Sequence, residues 1–201
     1  MTRRSLGLLL LMATVTLSGC AFSIHESPLN YSYSGQVVAA GADIARGVVV
    51  GAVEDNRTVD RPDIISHLVN GYGQTTSGGY VAEAPIADIV KNGVQEALDA
   101  AGYSGHPDEL TMDLTIEDYE YDAVSGFWSV KNITAEMTVG LRMESRGTLV
   151  AQNTVVGKVK LETEELKGKP DKELVTLLFS RALDDTVAKI IEIVEIEANR
   201  S

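Results

Sequence analysis

The residue with the most definite chemistry is Cys20, the single cysteine of the chain. It closes the tetrapeptide Leu17-Ser18-Gly19-Cys20. Ahead of it stand Arg3, Arg4 and an apolar or small-residue run from Leu6 to Val15. A thiol placed there is a nucleophile available for covalent attachment; a buried free thiol is the alternative. Other reactive side chains do not converge. His25, His67 and His106 are far apart and lack the i, i+4 or Cys-adjacent spacing of a zinc site. No Gly-x-Ser-x-Gly elbow occurs. Gly71-Tyr72-Gly73 lacks the Gly-Lys-Ser/Thr ending of a phosphate loop. It reads as a flexible connection, with a binding loop as the alternative. The acidic groups Glu117-Asp118, Glu162 to Glu165 and Asp184-Asp185 read as solvated surface, because adjacent strand residues point to opposite faces. Glu192, Glu195 and Glu197 read as a wet helix face. No enzyme, metal or cofactor is expected.

Two groups remain open. Asp55-Asn56-Arg57 is either a turn fixed by Asx hydrogen bonds and an Asp–Arg pair or an edge that contacts a partner. Trp128, the only tryptophan, groups with Phe127, Tyr119 and Tyr121 either as core or as a protein contact. Asp55, Asn56, Arg57, Tyr72 and Trp128 are therefore the candidate partner-binding residues.

The N-terminus has the three parts of a secretory signal: a positive start, a short apolar middle and a small-residue cleavage site. Its apolar run is far shorter than the roughly 20 residues that span a bilayer. Residues 1–19 read as a cleaved signal, residues 20–42 as an anchored Cys20 and tether, and residues 43–197 as one domain. Pro28 and the Ser/Asn content favour an irregular tether, with Tyr31, Tyr33, Val37 and Val38 able to pack on the domain. A lone cysteine leaves no intrachain disulfide, so core burial alone must hold the domain together. The formal charge is −12, and losing Arg3 and Arg4 takes it to −14. That argues against nucleic acid or an anionic surface as an electrostatic partner.

The elements that must position these residues follow from periodicity. Val48, Val49 and Val50 lie in a strand over Arg46–Val53 that looks buried on both faces. Residues 58–83 form a long Gly-rich connection, with a short helix or strand at Ile64 to Val69. Ile86, Ile89, Val90, Val94, Ala97, Leu98 and Ala101 make the stripe of a helix opened by Pro85 and capped by Gly102. Gly93 allows that helix to pack closely on the sheet. Met112, Leu114 and Ile116 alternate, and Tyr119 and Tyr121 continue on the other parity, so Glu117-Asp118 marks a bulge. Ile133 to Met143 alternates cleanly, Arg146-Gly147 reverses the chain, and Leu149 to Leu161 returns. Leu174, Leu178, Ala182, Val187, Ile190, Ile191 and Val194 mark a second long helix, N-capped by Asp171. The fold class is α+β: a two-layer sandwich, β-α-β-β-β-α, with a mostly antiparallel four-stranded sheet and both helices on one face.

Leu17 to Cys20 resembles the lipobox of bacterial lipoproteins, which implies thioether lipidation of Cys20 and membrane attachment through it. The lipobox, the run of Val48-Val49-Val50 into Asp55-Asn56-Arg57, the helix ending Ala101-Gly102-Tyr103, the Trp128 to Leu141 strand and the terminal helix together resemble the YajG-type family of envelope lipoproteins. The Gly/Ser/Thr insertion at residues 70–80 departs from it. The resemblance implies a periplasm-facing, non-enzymatic, lipid-anchored protein and names no partner; the function expected is an interaction or accessory module docking on an envelope protein. Ala21, where Asp would mark inner-membrane retention in enteric lipoproteins, implies the outer membrane, facing the periplasm. A carrier or accessory subunit binding lipid or glycan in envelope transport is the alternative, and it requires an apolar groove between helices and sheet.

Overall fold

The computed structural model describes residues 24–27, 29, 31–35, 44–69, 74–106, 109–122 and 132–200. Cys20, Val37, Val38, Tyr72, Phe127 and Trp128 lie outside the described residues. The strands are β1 (Ile24–Glu26), β2 (Gly47–Asp55), β3 (Ile64–Val69), β4 (Thr75–Val81), β5 (Glu109–Asp122), β6 (Asn132–Ser145) and β7 (Thr148–Glu162). The helices are α1 (Ile86–Ala101), α2 (Thr163–Leu166) and α3 (Asp171–Ala198).

The expected sandwich is present. The order in the main sheet is β2-β5-β6-β7, with β2 parallel to β5 and the rest antiparallel. Ile133, Ala135, Met137, Val139, Leu141 and Met143 line its buried face, while Thr134, Glu136 and Arg142 are exposed on the other. The register of β5 against β6 shifts between Ile116 and Asp118, which lets Tyr119 rejoin the buried face. Arg146 and Gly147 both have positive φ, 52° and 79°, and form the two-residue reversal between β6 and β7. Every residue of the expected α1 stripe is buried, and Gly102, in the left-handed region, ends the helix with Tyr103 N–H on Leu98 O at 2.9 Å.

Five local expectations change. The long connection supplies β3 and β4 of a second sheet, ordered β1-β4-β3, whose third strand comes from Ile24–Glu26. Its central strand, Thr75–Val81, carries Gly78-Gly79, a composition that hides a strand; a Cβ at Gly79 would collide with the Ser66 carbonyl of β3. In β2, Val48 and Val50 are buried but Val49 is 37% exposed, because alternate side chains point to opposite faces and Val49 points to the face that the helices leave open. The α3 face turns further than its leucines suggested: Val175, Phe179 and Leu183 are buried, while Leu174 and Ile191 are only half-buried. Pro85 and Pro170 occupy the N-cap positions, so Asp171 sits in the first turn and acts on the helix dipole, not as the cap. Glu197 is buried and bonded to Arg200 at 2.8 Å, so the wet face excludes it.

The two helices also close the sheet edges. On β2, Val50 N–H donates to Gln95 Oε1 at 3.1 Å, and Lys91 Nζ donates to Gly51 O at 2.7 Å. On β7, Lys158 N–H donates to Asp185 Oδ2 at 2.8 Å, and Lys189 Nζ donates to Val156 O at 2.8 Å. Each helix thus supplies a donor and an acceptor four residues apart to backbone groups that would otherwise template another strand. At Gly157 the α3 backbone comes so close that a Cβ would run into Ala182 O and Thr186.

Candidate functional site

From Ile24, four residues after Cys20, the described chain is built into the domain. Ile24, His25 and Glu26 pair in parallel with Gly79, Tyr80 and Val81, and Ser27 N–H donates to Val81 O at 2.9 Å. The His25 ring stacks on Tyr80 with centroids 5.5 Å apart. Leu29 is buried in the core. The chain then crosses the helical layer as a strap. Tyr31 lies over Gly93 of α1, where a Cβ would strike its ring, and its hydroxyl donates to Asp184 Oδ1 of α3 at 2.8 Å. Ser34 Oγ donates to the other Asp184 oxygen at 2.7 Å, and Ser32 Oγ and Tyr33 N–H both reach Glu96 Oε2. Burial and the adjacent Asp184 carboxylate push the Tyr31 phenol well above its ordinary pKa, so it stays a neutral donor.

These contacts revise two sequence readings. Gly93 makes room for Tyr31, not for the sheet. Asp184 and Asp185 are not a merely solvated pair: one holds the strap and the other caps the β7 edge. The Glu162 to Glu165 run has structural work too. Glu162 and Glu165 form the capping box of α2, and Glu165 pairs with Arg181, whose hydrogen bond holds its carboxyl below the usual range. Sequence reasoning missed Asp184, Glu96, Lys91 and Gln95 because their partners are distant in the chain. The glycines at 93 and 157 were the available signals, since a glycine inside an element often marks a close approach.

The Asp55-Asn56-Arg57 group forms a node between the two sheets. Asp55 Oδ1 accepts Arg57 N–H at 3.2 Å, and the two side chains meet in a two-point pair at 2.8 and 2.7 Å. Arg57 also donates to Ile64 O at 3.0 Å and Ile65 O at 3.3 Å. Its side chain is 4% exposed, so the guanidinium joins the end of β2 to β3 inside the protein. Asn56 is exposed, and its backbone N–H extends the parallel ladder to Ile116 O at 2.9 Å.

Beside this node Tyr119 is buried edge-on against Phe179, with centroids 5.1 Å apart, and near Tyr121. Its hydroxyl has no hydrogen-bond partner among the described residues. Burial raises its pKa strongly, and burial pushes Tyr80 up to about 12. His67 approaches Asp60 at 3.7 Å and His106 contacts Gly102 O at 3.3 Å; among the described residues no group of potential metal ligands is present. No helix among the described residues is long and apolar enough to cross a membrane.

No protein-family model matches the sequence, and no curated protein does. Solved structures do. The protein XCC0632 from Xanthomonas campestris, of family model DUF330, is 15% identical over 87% of this chain and 96% of its own, with a TM-score of 0.58. A minor lipoprotein from Acinetobacter baumannii is 12% identical over 77% of this chain and 94% of its own, at 0.45. A lipoprotein described as putative, from Caulobacter crescentus, is 13% identical over 57% and 84%, at 0.41. The first of these shares the fold; the other two are too distant in shape to support an argument.

Proposed function

We propose that this chain is a bacterial envelope lipoprotein of YajG type: exported, cleaved before Cys20, lipidated there, and held at the outer membrane facing the periplasm. It works without catalysis, as an interaction or accessory module for an envelope protein. The observation that carries the reading is a coincidence of position. The lipobox ends at Cys20, and by Ile24 the chain is already paired into the domain. The signal and lipid site therefore end four residues before the first strand of the described residues. At about 0.8 kcal/mol per buried CH₂, two or three long acyl chains supply ample anchorage.

The helix–sheet interface supports a docking module over a carrier. Val90, Val94, Leu98, Phe179, Leu183, Val187 and Ile190 have no exposed surface, and they meet Met112, Met137 and Val139 of the sheet in one core. That interface is filled by the protein's own side chains. Docking falls to exposed positions at the β2 end of the domain, such as Asn56, and to Trp128. In-cell photo-crosslinking from Asn56 and Trp128 tests it. A reproducible adduct with one envelope protein supports the module; adducts with lipid alone, or none, overturn it.

A further inference from the structure

We propose that the end of the domain carrying Ile24 and Thr75 lies against the headgroup surface of the bilayer, in a fixed orientation, and that the β6–β7 reversal points away from it. This rests on the lipid anchor at Cys20. Four residue steps separate Cys20 from Ile24, and a fully extended chain covers about 3.5 Å per residue, so the lipid-bearing residue lies within about 14 Å of Ile24. Past Ile24 there is no slack to add to that reach. β1 is paired with β4, Ser27 continues the pairing, Leu29 is in the core, and the strap is bonded to Glu96 and Asp184.

The direction of the strands settles which end is involved. β1 runs parallel to β4, so both begin on the same side, and Thr75 is the first residue of β4. Ile24 itself is a large apolar side chain left 50% exposed at that end. The far end is defined by α3. The Arg57 node ties the second sheet to the end of β2, whereas at the start of β2 Arg46 bonds Arg200 O at the C-terminus of α3. A 28-residue helix is about 42 Å long. The start of β2 pairs with the start of β5, and β5 there pairs with the end of β6, so Arg146 and Gly147 share the far end. A short leash joined to a docked strap converts a lipid anchor into an orienting device.

The test uses the full lipidated chain reconstituted into phosphatidylcholine vesicles that contain a headgroup-nitroxide lipid. With Cys20 blocked by its lipid, Thr75→Cys or Thr148→Cys gives one free thiol for a bimane label; both positions are exposed. Quenching several-fold stronger at position 75 than at 148 is expected. An insertion of roughly 15 Gly/Ser residues after Cys20, which spans about 20 Å as a coil, should bring the two positions close to equality. Equal quenching in the uninserted chain, or stronger quenching at 148, overturns the orientation while leaving the anchor intact. A chain that does not float with the vesicles overturns the anchor and the orientation together.

Discussion

Gly93→Ala should have opposite effects on stability depending on whether Tyr31 is present. Gly93 sits inside α1, where replacing glycine with alanine ordinarily gains about 1 kcal/mol of helix propensity. Here the new Cβ would stand 2.9 Å from Tyr31 Cδ1 and closer still to Cε1. Carbon atoms pack at about 3.5–4.0 Å, so the ring must move by roughly 1 Å or more. That displacement breaks the 2.8 Å bond from Tyr31 Oη to Asp184. A hydrogen bond to a charged acceptor is worth about 1.5–3 kcal/mol, and the lower figure suits this half-buried position. Gly93→Ala alone should therefore be destabilising by about 0.5 kcal/mol, the balance of the propensity gain and the lost bond. In a Tyr31→Ala background it should stabilise by about 1 kcal/mol. The assay is urea unfolding of the chain from residue 20 with Cys20→Ser, as a double-mutant cycle. Hydrogen exchange at the Tyr33 and Ser34 amides, which bond Glu96 and Asp184, should speed up in the single variant. Equal stabilisation in both backgrounds would refute the seating of the strap on α1.

Three further outcomes follow from the packing. Gly157→Ala should destabilise by about 3 kcal/mol in thermal or urea unfolding, because the obstacles include the α3 backbone at Ala182 and Thr186, which cannot rotate away. Arg57→Met should cost about 3 kcal/mol, since it strands the nearly buried Asp55 carboxylate and two β3 carbonyls. Stability should fall as pH rises above 10, the ordinary tyrosine value: Tyr31, Tyr80 and Tyr119 have raised pKa values in the folded state, so they keep protons that the unfolded chain releases. A pH titration of the urea midpoint that stays flat between 10 and the folded value of about 12 for Tyr80 would contradict this.

The parts of the fold that were legible in the sequence are those with a local period. The α1 stripe recurs at helical spacing and stops at Gly102, and β6 alternates over its whole length. The bulge after Ile116 was visible as a change of parity. The second sheet was not, because β1 has only three residues and β4 spells Thr-Thr-Ser-Gly-Gly-Tyr-Val, which has no alternation. Its stability comes from neighbours, chiefly the Arg57 node and the buried Ile64, Ile65 and Tyr80. For α3, burial is set by more than one surface, since the helix packs on β6 and β7 and also meets α1, β2 and β3. A single leucine stripe understates that. The strap was legible only in part: Tyr31 and Tyr33 stood out as residues able to pack, whereas the carboxylates that receive them looked like any solvated acid. Nothing local to Asp184 signals a partner 153 residues away.

The most direct measurement is the intact mass and membrane partition of the wild-type chain and of Cys20→Ala, both expressed in a bacterium. A lipid-anchored lipoprotein gives a wild-type chain in the outer-membrane fraction, with the mass of residues 20–201 plus the acyl chains on Cys20. Cys20→Ala then accumulates at full length with its first 19 residues attached. A wild-type chain recovered in the soluble fraction with a free Cys20 thiol, or still carrying residues 1–19, would contradict the anchor and every inference that depends on it.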